Sequence, residues 1–202
     1  MSDNKPNTLY AQILVTARKL FWRHGIRRVT VEEICREAGV SKMTFYKYFP
    51  NKVELAKIVY NNEIEKGIAR FREIMHEPDN SPLDKMEKIL LLKLEGTNEI
   101  SREFMSDFYD NQQLGLASWV EKRSIEVWKD ILSDFAEAQE QGWFRKDFRP
   151  EGMLIMINKL SEIIKDKQLL ALYDTPQDVI MELARFFTFG ILPREVDSKG
   201  KR

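Results

Sequence analysis

Between Ser41 and Tyr48 the chain reads SKMTFYKY, where Lys42, Thr44, Tyr46, Lys47 and Tyr48 supply ammonium and hydroxyl donors and no acid intervenes. Phe45 and Phe49 lie four residues apart, so on a helix they make one narrow apolar edge and leave the donors outward. Groups of this kind neutralise phosphates and bond base edges, and a short helix so composed fits a DNA groove. Catalytic chemistry finds no comparable support. His24 and His76 are far apart and lack metal-ligand spacing, and neither a glycine-rich phosphate loop nor G-x-S-x-G occurs. Acid-rich stretches such as EKRSIE and EIIKDK read as solvated helix faces. The expectation is a non-enzyme with no metal and no cofactor.

The donor helix needs something to hold it, and the residues before it provide that. Thr30 is a good N-cap, and Glu32 and Glu33 follow in the first turn, where the helix dipole favours negative charge. Val31, Ile34, Cys35 and Ala38 recur at helical spacing and give this helix one apolar face. Gly39 tolerates the left-handed backbone of an abrupt helix end, Val40 plugs the turn, and Ser41 caps the donor helix. This is a helix-turn-helix with the recognition helix second. An earlier helix is predicted from about Thr8 to His24, with Ile13, Leu14, Ala17, Leu20 and Phe21 inward and Gly25 as its stop. Arg27 and Arg28 then fall where the chain could approach a phosphate or simply be solvated. Cys35, the single cysteine, cannot form an internal disulfide and reads as a core thiol.

The stretch LFWRHGIRRVTVEEICREAGVSKMTFYKYFPNKVEL resembles the N-terminal domain of tetracycline-repressor (TetR) family transcriptional regulators. The shared features are the LF-x-x-x-G ending of the first helix, the Thr-capped second helix, A-G-V-S-K, Y-x-Y-F-x-x-K, and a further helix following at once. They cover about residues 10 to 60. The resemblance implies that Thr30, Ser41, Tyr46, Tyr48 and Lys52 grip phosphates, while Lys42, Met43, Thr44 and Lys47 read base edges. Met43 stands where a small residue is usual and Phe45 where leucine is, so operator sequence cannot be borrowed from a relative. The resemblance further implies a second domain with a small-molecule pocket whose occupation alters DNA binding. Phe104, Phe108, Tyr109, Trp128 and Phe135 are its candidate lining, though aromatic stripes at helical spacing are also what a core contains.

Charge supports the division. The chain is neutral, with 32 basic and 32 acidic residues, yet residues 1–60 carry eleven Lys or Arg and five acids. That segment is therefore six charges positive and the remainder six negative, one phosphate-facing end and one end that stays off DNA. The domains are predicted at 1–50, helix-turn-helix, and 51–202, effector binding and dimerisation.

The larger part reads as helices throughout. A long helix from about Lys52 towards Met75 would span roughly 35 Å. PDNSP marks a loop, after which Leu83, Met86, Leu90 and Leu94 recur at helical spacing. A short helix holding Phe104 to Tyr109 follows, then a longer one from about Leu116 to Gln141, and helices after Pro150 and Pro176. The last two are apolar on more than one face: Met153, Met156, Ile157, Leu160 and Ile164, then Val179, Ile180, Leu183, Phe186 and Phe187. A helix needing two buried faces packs against something beyond its own domain, and a second copy giving a four-helix interface is the expected partner.

The predicted fold is all-α with about nine helices, a polar arm over residues 1–7 and a polar tail, EVDSKGKR, both disordered. No apolar run approaches the roughly 18 residues of a membrane span, and the opening lacks a signal-peptide pattern. The expectation is a soluble, cytoplasmic homodimer that binds double-stranded operator DNA and is a repressor released by a small-molecule effector. The main alternative is a DNA-binding dimer without such an effector, controlled by a protein partner or acting architecturally. An enzyme with an appended helix-turn-helix is the third reading.

Overall fold

The computed structural model describes residues 8–192 apart from positions 79, 111 and 165, and the side chains at 110, 112, 153, 154, 157, 158 and 160–162 are not described. The expectations for residues 1–7 and 195–202, and for the side chains of Met153, Ile157 and Leu160, lie outside the described residues. The described chain is helical: α1 (Thr8–His24), α2 (Val31–Ala38), α3 (Lys42–Tyr48), α4 (Lys52–His76), α5 (Pro82–Gly96), α6 (Arg102–Met105), α7 (Leu116–Glu140), α8 (Pro150–Ile163), α9 (Lys167–Ala171) and α10 (Pro176–Gly190). Strands are absent among the described residues, so the all-α expectation holds.

Two details differ from the sequence reading. The stretch from Phe104 to Tyr109 is not one helix: the four-residue α6 passes into a π-helical turn, Ser106–Asp110. The five-residue α9 was not foreseen. Asp166 caps it, accepting from the amides of Gln168 and Leu169, but Leu169 and Leu170 alone are too short a pattern to read as a helix.

The chain divides into two compact units. One comprises the residues up to Ile64 together with Glu99–Val120. Its core contains Ile13, Ala17 and Phe21 of α1, Ile34 of α2, Phe45 and Phe49 around α3, and Leu55 and Ala56 of α4, all fully buried. Trp22 packs on Phe104 with ring centroids 4.4 Å apart, and Phe104 packs on Phe108 at 4.4 Å. Ser101 joins the pieces, its amide donating to the Trp22 carbonyl and its hydroxyl capping α6 at Phe104.

The other unit comprises Glu65–Asn98 and the residues from Glu121 onward. Met75, Met86, Ile131, Phe135, Ala138, Phe144, Phe148 and Ile191 form its core. Lys85 is fully buried and donates to the carbonyls of Ile74, Met75 and Glu77, with its ammonium 4.2 Å from the Trp143 ring centre. It thus satisfies three carbonyls at or just beyond the end of α4, where the helix dipole favours a cation. Within α5 the predicted apolar row is only partly buried: Met86 is enclosed, whereas Leu83 and Leu94 are exposed.

Candidate nucleic-acid interface

Local geometry builds the helix-turn-helix as its residue types dictate. The Thr30 hydroxyl accepts from the Glu33 amide at 3.1 Å and caps α2. Gly39 closes that helix in the left-handed conformation, φ +65°, ψ +33°. Ser41 caps α3, its Oγ accepting from the Thr44 amide at 3.0 Å and lying 2.9 Å from the Thr44 hydroxyl. Asn51 caps α4 through Oδ1, which accepts from Val53 and Glu54. Three successive helices therefore start on a side-chain oxygen, which fixes their relative entry without long loops.

Phe45 and Phe49 are fully buried and seat α3 in the core of its unit. The opposite face is open: Met43 is 85% exposed and Tyr46 55%, and Lys42 and Lys47 are exposed as well. The Tyr46 ring stands edge-on to Phe45 at 5.3 Å, which directs it without burying it. Tyr48 is half-buried and packs edge-on against Tyr10 of α1 at 5.7 Å. Tyr10 also stacks on Phe49 at 5.2 Å, a support for α3 that lies outside the predicted inward row of Ile13, Leu14, Ala17, Leu20 and Phe21.

Two of the candidate cations already have hydrogen-bond partners within the protein, and the Lys47 ammonium lies 5.9 Å from the Tyr48 ring centre. Lys42 is ion-paired with Glu32, whose hydrogen bond raises the lysine pKa and lowers that of the glutamate. Lys52 donates to the carbonyls of Arg27 at 2.9 Å and Val29 at 2.7 Å. Burial lowers its pKa, and the charge of Asp107 opposes that shift. An ammonium has three N–H donors, so one remains beyond these two carbonyls. Thr30 and Ser41 are exposed, and each hydroxyl accepts from an amide; that of Ser41 also shares a hydrogen bond with the Thr44 hydroxyl. The Cys35 thiol is buried, and desolvation raises its pKa, as expected of a core residue.

The candidate pocket residues fall into two clusters. Phe104, Phe108 and Tyr109 belong to the unit containing α3, where Phe108 stacks on Tyr60 at 4.9 Å and the Tyr109 and Tyr60 hydroxyls are 3.3 Å apart. Trp128 and Phe135 belong to the other unit, packed with Phe71 and Phe144. Among the candidate interface residues, Val179 is buried and Ile164, Ile180, Leu183 and Phe187 are half-buried. Met156 is exposed and Phe186 is 82% exposed, with Ile155 and Phe189 exposed too. No group of His, Cys, Asp and Glu among the described residues could hold a metal ion, and no described helix is long and apolar enough to cross a membrane.

Asp107 is the residue that its own local sequence offers no reason to select. It lies eighty positions from Arg27, yet its carboxylate accepts from both the backbone amide and Nε of that arginine, each at 2.8 Å.

Residues 13–59 match the family described as bacterial regulatory proteins, tetR family. The HTH-type transcriptional repressor KstR2 of Mycobacterium tuberculosis is 25% identical over 149 residues, which are 70% of this chain and 72% of that protein. The fold resembles that of the fatty acid degradation regulator FadR from Bacillus halodurans, with TM-score 0.63 and 18% identity over 96% of this chain and 100% of that one. It also resembles the transcriptional regulator FadR from Bacillus subtilis in complex with stearoyl-CoA, with TM-score 0.59 and 18% identity over 90% of this chain and 99% of that one.

Proposed function

Since the chain belongs to the TetR family of DNA-binding transcriptional regulators, we propose that it is a homodimeric repressor that binds a palindromic operator and releases it when a small molecule binds. The observation that carries the reading is α3: a helix seated on buried Phe45 and Phe49 with Lys42, Met43, Tyr46 and Lys47 on its open face. In this reading residues 1–50 are the reading head and residues 51–202 bind effector and partner. Thr30, Ser41, Tyr46, Tyr48 and Lys52 contact phosphates, which set affinity, and Lys42, Met43, Thr44 and Lys47 meet base edges, which set sequence. Two such heads in a dimer match half-sites about one helical turn apart or somewhat more. The exposed apolar side chains of α8 and α10, Met156 and Phe186 among them, support a second copy as partner.

The effector is proposed to be apolar or aromatic, in keeping with the aromatic side chains among its candidate contacts, Phe104, Phe108, Tyr109, Trp128 and Phe135. It acts by binding the DNA-incompetent state more tightly than the competent one. The complex of Bacillus subtilis FadR with stearoyl-CoA is one instance of this fold holding a ligand with a long apolar chain.

The test is selection of bound sequences from a random duplex library, with binding repeated across salt concentrations. A palindromic consensus with a steep salt slope is the expected result. Weak binding with no consensus would overturn the operator reading.

A further inference from the structure

The loop between α1 and α2 is held more tightly than a surface connection requires. Gly25 turns the chain at φ +76°, Ile26 and Val29 are fully buried, and Arg27 and Arg28 are left outside. Lys52 bonds the carbonyls of Arg27 and Val29, the latter just before the α2 cap at Thr30. From the other side comes Asp107, only 2% exposed, on the π-helical turn. Its Oδ2 accepts from the Arg27 amide and its Oδ1 from Arg27 Nε. A Cβ on Gly25 would stand 2.7 Å from Asp107 Oδ2, so the close approach of the turn depends on glycine there.

A buried carboxylate costs solvation and persists only when its lone pairs are used. Here it fixes both ends of one residue, the backbone amide and the side-chain Nε. The arginine side chain is nonetheless 62% exposed, and its terminal nitrogens make no bond among the described residues. Holding Nε removes most of the rotamer freedom of a long side chain in advance, while the two Nη groups keep their planar donor fork. That fork matches a phosphate, and it sits three residues before the α2 cap, next to the loop carbonyl that Lys52 holds.

We propose that Arg27 contacts a DNA phosphate and that Asp107 is its positioning residue, reaching the reading head from a part of the chain far outside it. The inference rests on the DNA-binding reading above and adds one contact and the group that aims it.

Phosphate contacts do not read sequence, so both the selected operator and a mixed-sequence duplex serve as probes. Affinity is measured across salt for the full-length chain and for Arg27→Ala, Arg27→Lys, Asp107→Asn and the double variant Arg27→Ala with Asp107→Asn. Arg27→Ala is expected to weaken binding about five- to tenfold on both duplexes and to lower the salt slope by about one. Asp107→Asn is expected to reproduce most of that loss and of the slope change, and the double variant to bind no worse than Arg27→Ala alone. A purely structural role for Asp107 would add its loss to that of Arg27→Ala, and this result overturns the proposal, as does wild-type binding by either single variant. Should circular dichroism find Asp107→Asn unfolded, Arg27→Lys decides. Lysine carries its donors on a single nitrogen, so the atom that holds Asp107 cannot also be an outlying fork aimed at the phosphate; Arg27→Lys is expected to fall towards Arg27→Ala, and full binding by it overturns the proposal. If the unaltered chain binds neither duplex, the operator reading fails and this inference with it; if it binds and the variants match it, only this inference fails.

Discussion

Lys52 donates its ammonium to the Val29 carbonyl at 2.7 Å, so the first residue of α4 holds the residue that precedes the α2 cap. The same nitrogen reaches the Arg27 carbonyl at 2.9 Å. A residue proposed, on the family resemblance, as a phosphate contact is thus a clasp for the loop in front of α2. Replacing it with methionine keeps the stem and removes the donors. Lys52→Met is expected to destabilise the chain by about 2 kcal/mol, the scale of hydrogen bonds to a charged group. Urea unfolding should show a lower midpoint with an unchanged slope, together with weaker DNA binding. An unchanged midpoint with weakened DNA binding would assign Lys52 to the nucleic acid alone.

Gly25→Ala meets two obstacles. Its φ of +76° is strained for a residue with a Cβ, and that atom would lie 2.7 Å from Asp107 Oδ2 and 3.1 Å from the Glu103 carbonyl carbon. Backbone cannot move aside as a flexible side chain can, so the loss is expected to be about 2 kcal/mol or more. Thermal melting of the variant reads this directly, and an unchanged melting temperature would refute the close approach.

On α3, Tyr46 and Lys47 are expected to behave differently. Tyr46→Phe removes one exposed hydroxyl and should weaken binding on every duplex alike, so unchanged affinity at moderate salt would exclude a phosphate contact. Lys47→Ala should change the preferred sequence, at about 1–3 kcal/mol for the affected base pair. A uniform loss across operators would move Lys47 into the phosphate class.

Acid should weaken two helix starts. Ser81 with Asp84, and Thr175 with Asp178, form reciprocal capping boxes at α5 and α10. The Ser81 hydroxyl and amide hold the Asp84 carboxyl below the usual range, and Thr175 does the same for Asp178. Because the folded pKa lies below the unfolded one, this stabilisation is fully present above about pH 3.9 and is lost as pH falls through the folded values. Helicity followed down the acid limb should therefore drop less steeply in Asp84→Asn and Asp178→Asn. Parallel acid limbs for wild type and variants would exclude a role for the boxes.

Phe186 is 82% exposed on α10, an expensive position for a phenyl ring in a free monomer. Phe186→Asp is expected to convert the proposed dimer to monomer in sedimentation velocity while leaving the helical content intact. A wild-type chain that sediments as a monomer would remove the proposed interface altogether.

The sequence by itself determined most of the helices and the helix-turn-helix, because the signals there are local. Thr30, Gly39, Ser41 and Asn51 act within four residues of themselves, and the Phe45–Phe49 spacing alone decides which side of α3 is open. The same locality explains why Pro82 and Pro176 marked helix starts correctly. Period alone was less informative in α5, where Leu83 and Leu94 share the row of Met86 but stay exposed, since burial depends on what another helix brings to that side. Only the tertiary structure decided that the π-helical turn would supply Asp107 to Arg27, that Tyr10 would brace Tyr48, and that Lys85 would be buried on the carbonyls closing α4. Each of these joins residues from separate segments of the chain, and a lysine or aspartate in a helix looks solvated until its distant partner is in place. Physical chemistry of the single segment fixes conformation; which polar groups are withdrawn from water, and on what they are spent, is settled by the packing of segments that the sequence keeps apart.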